Sequence, residues 1–223
     1  MQSNEATQSG LPPLVSEKKR WPNWTGRVAV LIATGPSLTA EQVAYVKQKR
    51  KQDKCRVVAI NEAGIGKYKP LAAPWADVLY AADHDWWLHY RPEFYGLRVS
   101  GEKVEGVHTI PLELIDAGQK TMPREPGKAM HGGHSGFQAL SMVLTFGVSK
   151  VIMLGYDAGG PKRNCHENRD PFFTNPHRKQ PSYAAWQQVY NLVPHQWPEV
   201  EFANCSQYTR ITAFPKPALE AVL

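Results

Sequence analysis

The chain has 223 residues, with 26 Lys and Arg against 20 Asp and Glu and a net charge of +6. A hydrophobic fraction of 42% and a charged fraction of 21% exclude a disordered chain, a coiled coil and a fibrous repeat. That length fits one α/β domain, or at most two small ones, with room for a buried core. No run approaches the ~20 apolar residues of a membrane span. The first twenty residues lack the apolar centre of a signal peptide. Cys55, Cys165 and Cys205 are too few, and odd in number, for a disulfide scaffold, so a cytoplasmic protein is expected.

Residues 1–24 read as a polar arm, with Trp21 and Trp24 placed to pin its end, ahead of a single domain over 25–223. Residues 28–33, VAVLIA, predict a strand buried on both faces. After the turn Thr34-Gly35-Pro36-Ser37, the order Thr39-Ala40-Glu41-Gln42 has the form of a capping box and predicts a helix start. Two more apolar strands are expected, over 56–60 ending at Asn61 and over 78–81 ending near Asp83. Residues 90–130 read as irregular, with short β-like runs at 97–99 and 107–110. A helix through Phe137, Leu140, Val143 and Leu144 follows, closed by Gly147. Next come a strand over 150–154 that ends in Gly155-Tyr156-Asp157, and a long polar loop over 158–181 with the character of a lid. Ser182 is placed to cap a helix carrying Tyr183, Trp186, Val189 and Tyr190 on one face, and a last strand over 200–203 runs into Asn204-Cys205-Ser206.

Five apolar runs alternating with helical segments predict a Rossmann-like, mostly parallel sheet with helices on both faces. In such folds ligands bind beyond the carboxyl ends of the strands. Thr34, Gly35, Pro36, Ser37, Asn61, Asp83, Asp157, Asn204 and Ser206 all fall there. The Thr34–Ser37 turn is either an anion cradle or a tight turn with Ser37 or Thr39 as cap, and it is neither a G-x-G-x-x-G nor a Walker A loop. Asn61 is either a reader of a base or ribose or a turn former; Asp83 either meets a ligand or caps the next helix. Trp86 and Trp87 read as packing residues ahead of base-stacking ones. Ser135 and Gly136 place a second helix N-terminus at the same crevice, while His131 and His134 each read as solvated loop residues ahead of catalysts. The lid holds Cys165, His166, Asp170 and His177 and leads to Tyr183, which suits a general base brought over a bound substrate. Asp157, His166 and Asp170 match no strong metal-ligand spacing.

These segments resemble a known group. Residues 30–38, VLIATGPSL, are similar to the GxGPSL loop of bacterial sialyltransferases that use a CMP-activated sugar, a superfamily with flagellin-modifying and pterin pyrophosphokinase-like members. Residues 57–61, 135–157 and 204–215 resemble its second strand, its helix and G-x-D strand, and its late N-x-S segment, in the same order. Residues 73–81, APWADVLYA, and the His-containing lid before Tyr183-x-x-Trp186 resemble uncharacterised proteins of tailed phages and prophages. The resemblance implies a phage-encoded glycosyltransferase core that requires no cofactor or metal, with a nucleotide sugar as donor. Gly35, Ser37, Asn61, Ser135, Gly136 and Asn204 would line the donor pocket. His166 or His177 would serve as base on an acceptor hydroxyl, with Tyr183 assisting the leaving phosphate. Thr34 stands where the family's first loop carries Asn, and the lid, CHENRDPFFTNPH, lacks the sialyltransferase pattern.

The leading expectation is therefore sugar transfer from a nucleotide donor to a hydroxyl on a glycan or a modified DNA base. An ATP-dependent pyrophosphokinase would instead need Mg²⁺ on Asp83, Asp157 or Asp170. A non-catalytic module would bind nucleic acid or a phage protein, with salt-sensitive affinity in the first case. The positive charge resolves into two patches. One is Lys47, Lys49, Arg50, Lys51, Lys54 and Arg56 at a helix C-terminus, where the dipole favours cations. The other is Lys162, Arg163, Arg169, Arg178 and Lys179 in the lid, where they suit a phosphorylated ligand.

Overall fold

The computed structural model describes residues 21–110, 112–113, 121–159 and 183–223. Its centre is the run that the sequence makes most apolar. Strand β1 (Val28–Ile32) is flanked by β2 (Arg56–Ile60) on one side and β8 (Lys150–Leu154) on the other. β3 (Val78–Ala81), β4 (Leu97–Ser100) and β5 (His108–Thr109) extend the sheet beyond β2, and β9 (Glu201–Asn204) extends it beyond β8. Among the described residues the order is β5-β4-β3-β2-β1-β8-β9, and every pairing is parallel. The expected parallel α/β sheet is thus present, with seven strands where the sequence predicted five. The two added strands lie at 97–100 and 108–109, in the stretch read as irregular. A separate pair, β6 (Leu112–Glu113) and β7 (Ala129–Met130), is also parallel.

Period-2 alternation divides the strand side chains between two cores. Ala29, Leu31, Val58, Ile60 and Met153 meet helix α3 (Ser135–Leu144), together with Tyr190 and Val193 from the stretch that holds α4 (Tyr183–Val189) and α5 (Leu192–Gln196). Val30, Ile32, Val57, Ala59 and Ile152 meet Val43 and Val46 of α1 (Ala40–Lys51) and Trp86 and Trp87 of α2 (His84–Tyr90). Both tryptophans are buried packing residues, as expected. α1 opens with the predicted capping box: the Gln42 amide donates to Thr39 Oγ1 and the Gln42 side chain accepts from the Thr39 amide. Gly147, at φ +83°, follows the end of α3.

The basic run at the end of α1 is partly paired. Arg50 grips Asp77 through two nitrogens, at 2.8 and 3.2 Å, and Asp53 lies within 3.0 Å of both Arg27 and Arg56. The Trp24 amide donates to Phe146 O at 2.7 Å, and both Trp21 and Trp24 rings pack on Phe146. No described helix is long and apolar enough to cross a membrane.

Candidate functional site

β1 is flanked on both sides, by β2 and β8, so the direction of winding reverses at this point, the place where folds of this kind carry a crevice beyond the strand ends. The loops after β1 and β8 meet tightly. The Ala33 amide donates to Leu154 O and the Gly35 amide to Gly155 O, both at 2.9 Å. A Cβ on Gly35 would stand 2.0 Å from Asp157 Oδ2, so only glycine permits this approach. Gly155 lies at φ +67°, with its own Cβ position 2.5 Å from Ala33 O.

Asp157 is the floor of the crevice. It is 2% exposed, and its Oδ2 accepts from the Ser37 hydroxyl at 2.8 Å and the Ser37 amide at 3.2 Å. Its Oδ1 is buried and makes no hydrogen bond of good geometry, with the Tyr208 backbone N–H nearby. Burial raises its pKa above the ordinary carboxylate value, against the opposing pull of Ser37 and of the Tyr208 backbone N–H. The loop after β9 is locked to the same floor. Asn204 donates to Tyr156 O and Thr209 Oγ1 and accepts from the Ser206 amide, while Ser206 Oγ accepts from the Tyr156 amide. The Arg210 amide donates to Asp157 O at 2.9 Å.

The predicted site residues therefore sort by what they already hold. Ser37, Asn204 and Ser206 are buried and direct their polar groups into the protein. The amides of Gly35, Ser37 and Leu38 are likewise spent on internal acceptors. The first loop thus has the geometry of a tight turn, with Thr39 as the cap of α1. Thr34, Asn61 and Ser135 are half-buried, and their side chains have no hydrogen-bond partner among the described residues. Asn61 adopts φ +52°, a left-handed conformation that Asn tolerates, at the start of a 3₁₀ turn after β2.

One of the two readings of Asp83 is excluded, and the reading of His134 is corrected. Asp83 sits at the N-cap position of α2 but makes no side-chain cap; Glu102 Oε2 takes the His84 amide at 2.9 Å instead. Asp83 also lies two strand spacings from β1, about 10 Å away, on an open cavity of about 490 Å³ with His84, Asp85, Glu102 and Lys103. His134 is no solvated loop residue. Its ring packs 4.5 Å from Trp186 and 5.6 Å from Tyr190, and it caps α3, with Nδ1 accepting from the Phe137 amide. Burial pushes its pKa down to about 3. The neutral ring therefore carries its proton on Nε2, which is buried without a partner.

α3 runs back from the strand ends towards β8, so its N-terminus faces the crevice. The Ser135 and Gly136 amides occupy its first turn, where no intrahelical acceptor exists, and Tyr156 Oη donates to Gly136 O at 2.9 Å. Tyr183 opens α4, with its ring 5.3 Å from that of Trp186 and against Gly159. The candidate bases His166 and His177, with Cys165 and Asp170, lie outside the described residues. Among the described residues no group of three or more His, Cys, Asp or Glu is placed to hold a metal ion.

A parallel α/β domain whose winding reverses between β1 and β8 is the class that this geometry defines. Among solved structures, the chain is similar to a MAf glycosyltransferase from Magnetospirillum magneticum AMB-1, at a TM-score of 0.57 and 11% identity. The match covers 91% of this chain and 35% of that protein, so the chain spans about a third of the structure whose fold it shares. No family model and no curated protein matches the sequence.

Proposed function

We propose that this chain is a nucleotide-sugar-binding core that transfers a sugar to a hydroxyl acceptor. The observation that carries the reading is the winding reversal at β1 and β8, with the α3 N-terminus beside it, in a fold shared with a glycosyltransferase. The first-turn amides and hydroxyl of Ser135, with the Gly136 amide, offer donors to the donor's phosphate at the positive end of the helix dipole. Thr34 and Asn61 stand on the rim with uncommitted polar groups for other parts of the donor. Asp157 and Gly35 hold the β1 and β8 loops at fixed spacing beneath it.

His134 is unsuited to the role of general base, because its Nδ1 already accepts from the Phe137 amide and its Nε2 is buried. The base role falls to His166 or His177, with Tyr183 at the edge of α4 as the candidate for assisting the leaving phosphate. The acceptor is a hydroxyl of a glycan or of a modified base in DNA. Phage origin is part of the same proposal and rests on the sequence resemblance alone.

Calorimetric titration with nucleoside mono- and diphosphates and with their sugar conjugates, up to millimolar concentration, tests the reading. At least one nucleotide series should bind, and its sugar conjugate should turn over with an acceptor hydroxyl without added metal. Absence of binding across the panel would sink the proposal, and turnover of ATP that depends on Mg²⁺ would replace it with pyrophosphoryl transfer.

A further inference from the structure

The loop after β9 carries exposed chemistry that the polar network beneath it does not use. Its backbone is fixed to the crevice floor: Arg210 N–H donates to Asp157 O, Thr209 Oγ1 donates to Tyr156 O at 2.7 Å, and Lys216 Nζ donates to Thr209 O at 3.1 Å. The backbone N–H of Tyr208 faces the Asp157 carboxylate. From Tyr208 to Thr212 burial alternates: Thr209 and Ile211 are buried, and Tyr208, Arg210 and Thr212 are exposed. Tyr208, Arg210 and Thr212 are therefore the exposed side chains of this loop, on either side of the buried Thr209 and Ile211.

Tyr208 is 47% exposed, one of three large apolar side chains so placed among the described residues. The other two, Leu88 and Tyr95, belong to the α2–β4 region. Neither the Tyr208 ring nor the Arg210 guanidinium has a side-chain partner among the described residues. An aromatic ring on a backbone already immobilised loses little entropy when a planar ligand stacks on it, and its face accepts any heterocycle. A guanidinium two residues along, also exposed, is always charged and matches phosphate oxygens in bidentate geometry.

We propose that Tyr208 stacks on the heterocycle of the bound nucleotide and that Arg210 pairs with the phosphate attached to it. This assignment rests on the nucleotide reading above and extends it to two residues that the motif comparison passes over. It places the nucleoside end of the ligand at the β8–β9 side of the crevice. Base tolerance then comes from stacking.

The test compares nucleosides with their 5′-monophosphates, for cytidine, uridine, guanosine and adenosine, by calorimetry on the full chain. Tyr208→Ala should weaken nucleoside and monophosphate together by about tenfold, and Tyr208→Phe should restore both. Arg210→Gln should weaken only the monophosphate, by about tenfold, and flatten the dependence of its affinity on salt. Both side chains are exposed, so the variants should melt with the wild type. If the wild type binds nucleotides while Tyr208→Ala binds them equally well, the assignment is overturned and the nucleotide reading stands. The same holds if Arg210→Gln weakens nucleoside as much as monophosphate. If the wild type binds none of the panel, both fall.

Discussion

Replacing Asp157 separates the two jobs that its carboxylate performs. Oδ2 accepts two hydrogen bonds from Ser37, itself 4% exposed, and Oδ1 is buried without a hydrogen bond of good geometry. In Asp157→Ala the Ser37 amide and hydroxyl both lose their acceptor inside the protein. At about 1 to 3 kcal/mol for each unsatisfied buried group, with the hydroxyl free to rotate, the expected loss is about 2 to 4 kcal/mol. Asp157→Asn keeps an oxygen for Ser37 and removes the buried charge, so its stability at neutral pH should lie within about 1 kcal/mol of wild type. The sign of the pH effect follows from the raised pKa. Between the unfolded value near 3.8 and the higher folded value, the native state binds more protons than the unfolded state. Wild-type stability therefore falls with rising pH across that window and is level above it. The Asn variant lacks this decline, so its stability relative to wild type should rise as pH climbs from about 4. Urea denaturation of all three proteins over pH 3.5 to 8, at constant ionic strength, measures the differences. If Asp157→Ala is as stable as Asp157→Asn, the Ser37 contact does not hold the first loop and the account of the crevice floor is wrong.

Two other titratable groups give independent checks. His134 should stay neutral in the native protein to about pH 3 while its unfolded counterpart protonates near 6.5. Its contribution to stability is thus fully present above pH 6.5 and lost as pH falls towards 3, by up to about 1.4 kcal/mol per pH unit. His134→Asn keeps a cap and should remove that acid sensitivity, and a His134 ring resonance that titrates near pH 6 in the native protein would refute the burial argument. Burial pushes the Cys55 and Cys205 thiols up to about 11. In a Cys165→Ser background, native protein at pH 8 should therefore react with a thiol reagent only after denaturant is added, and rapid native labelling would contradict it.

What the sequence made legible was chemistry confined to neighbouring residues. The Thr39–Gln42 capping box, the continuous apolar strands and the turn glycine at 147 all announce themselves over a few positions, and each is present. β4 and β5 were marked only as short β-like runs in an irregular stretch, because they are short and interrupted by Arg98 and His108. The cap of α2 escaped for another reason: the obvious local candidate, Asp83, competes with Glu102 from 18 residues away, and the distant carboxylate takes the bond. His134 looks solvated in a Gly-rich loop until Trp186 and Tyr190 are laid against it. The pairing of Ser37 with Asp157 spans 120 residues. Strand ends could be located from pattern alone, but which polar side chains there face each other is decided by strand order, and the pattern does not encode that order locally.

The same distinction governs what the polar residues at the strand ends are for. Ser37, Asn204, Ser206 and Thr209 are buried, and each spends its hydrogen-bonding groups on another loop. Together they fix the backbones after β1, β8 and β9 at one height, because an unpaired group among them would cost as much as the bond gains. Thr34, Asn61, Ser135, Tyr208 and Arg210 stand on that frame with half-buried or exposed side chains and no such commitments among the described residues. A rigid floor beneath an uncommitted rim is the arrangement that lets a site hold ligand groups without first rearranging itself. Substitutions in the floor should therefore appear as lost stability, and substitutions on the rim as altered affinity with the melting temperature unchanged. Motif likeness groups Ser37, Asn204 and Ser135 together as one pocket lining; their hydrogen bonds divide them, and leave Ser135 alone among the three without an internal side-chain partner among the described residues.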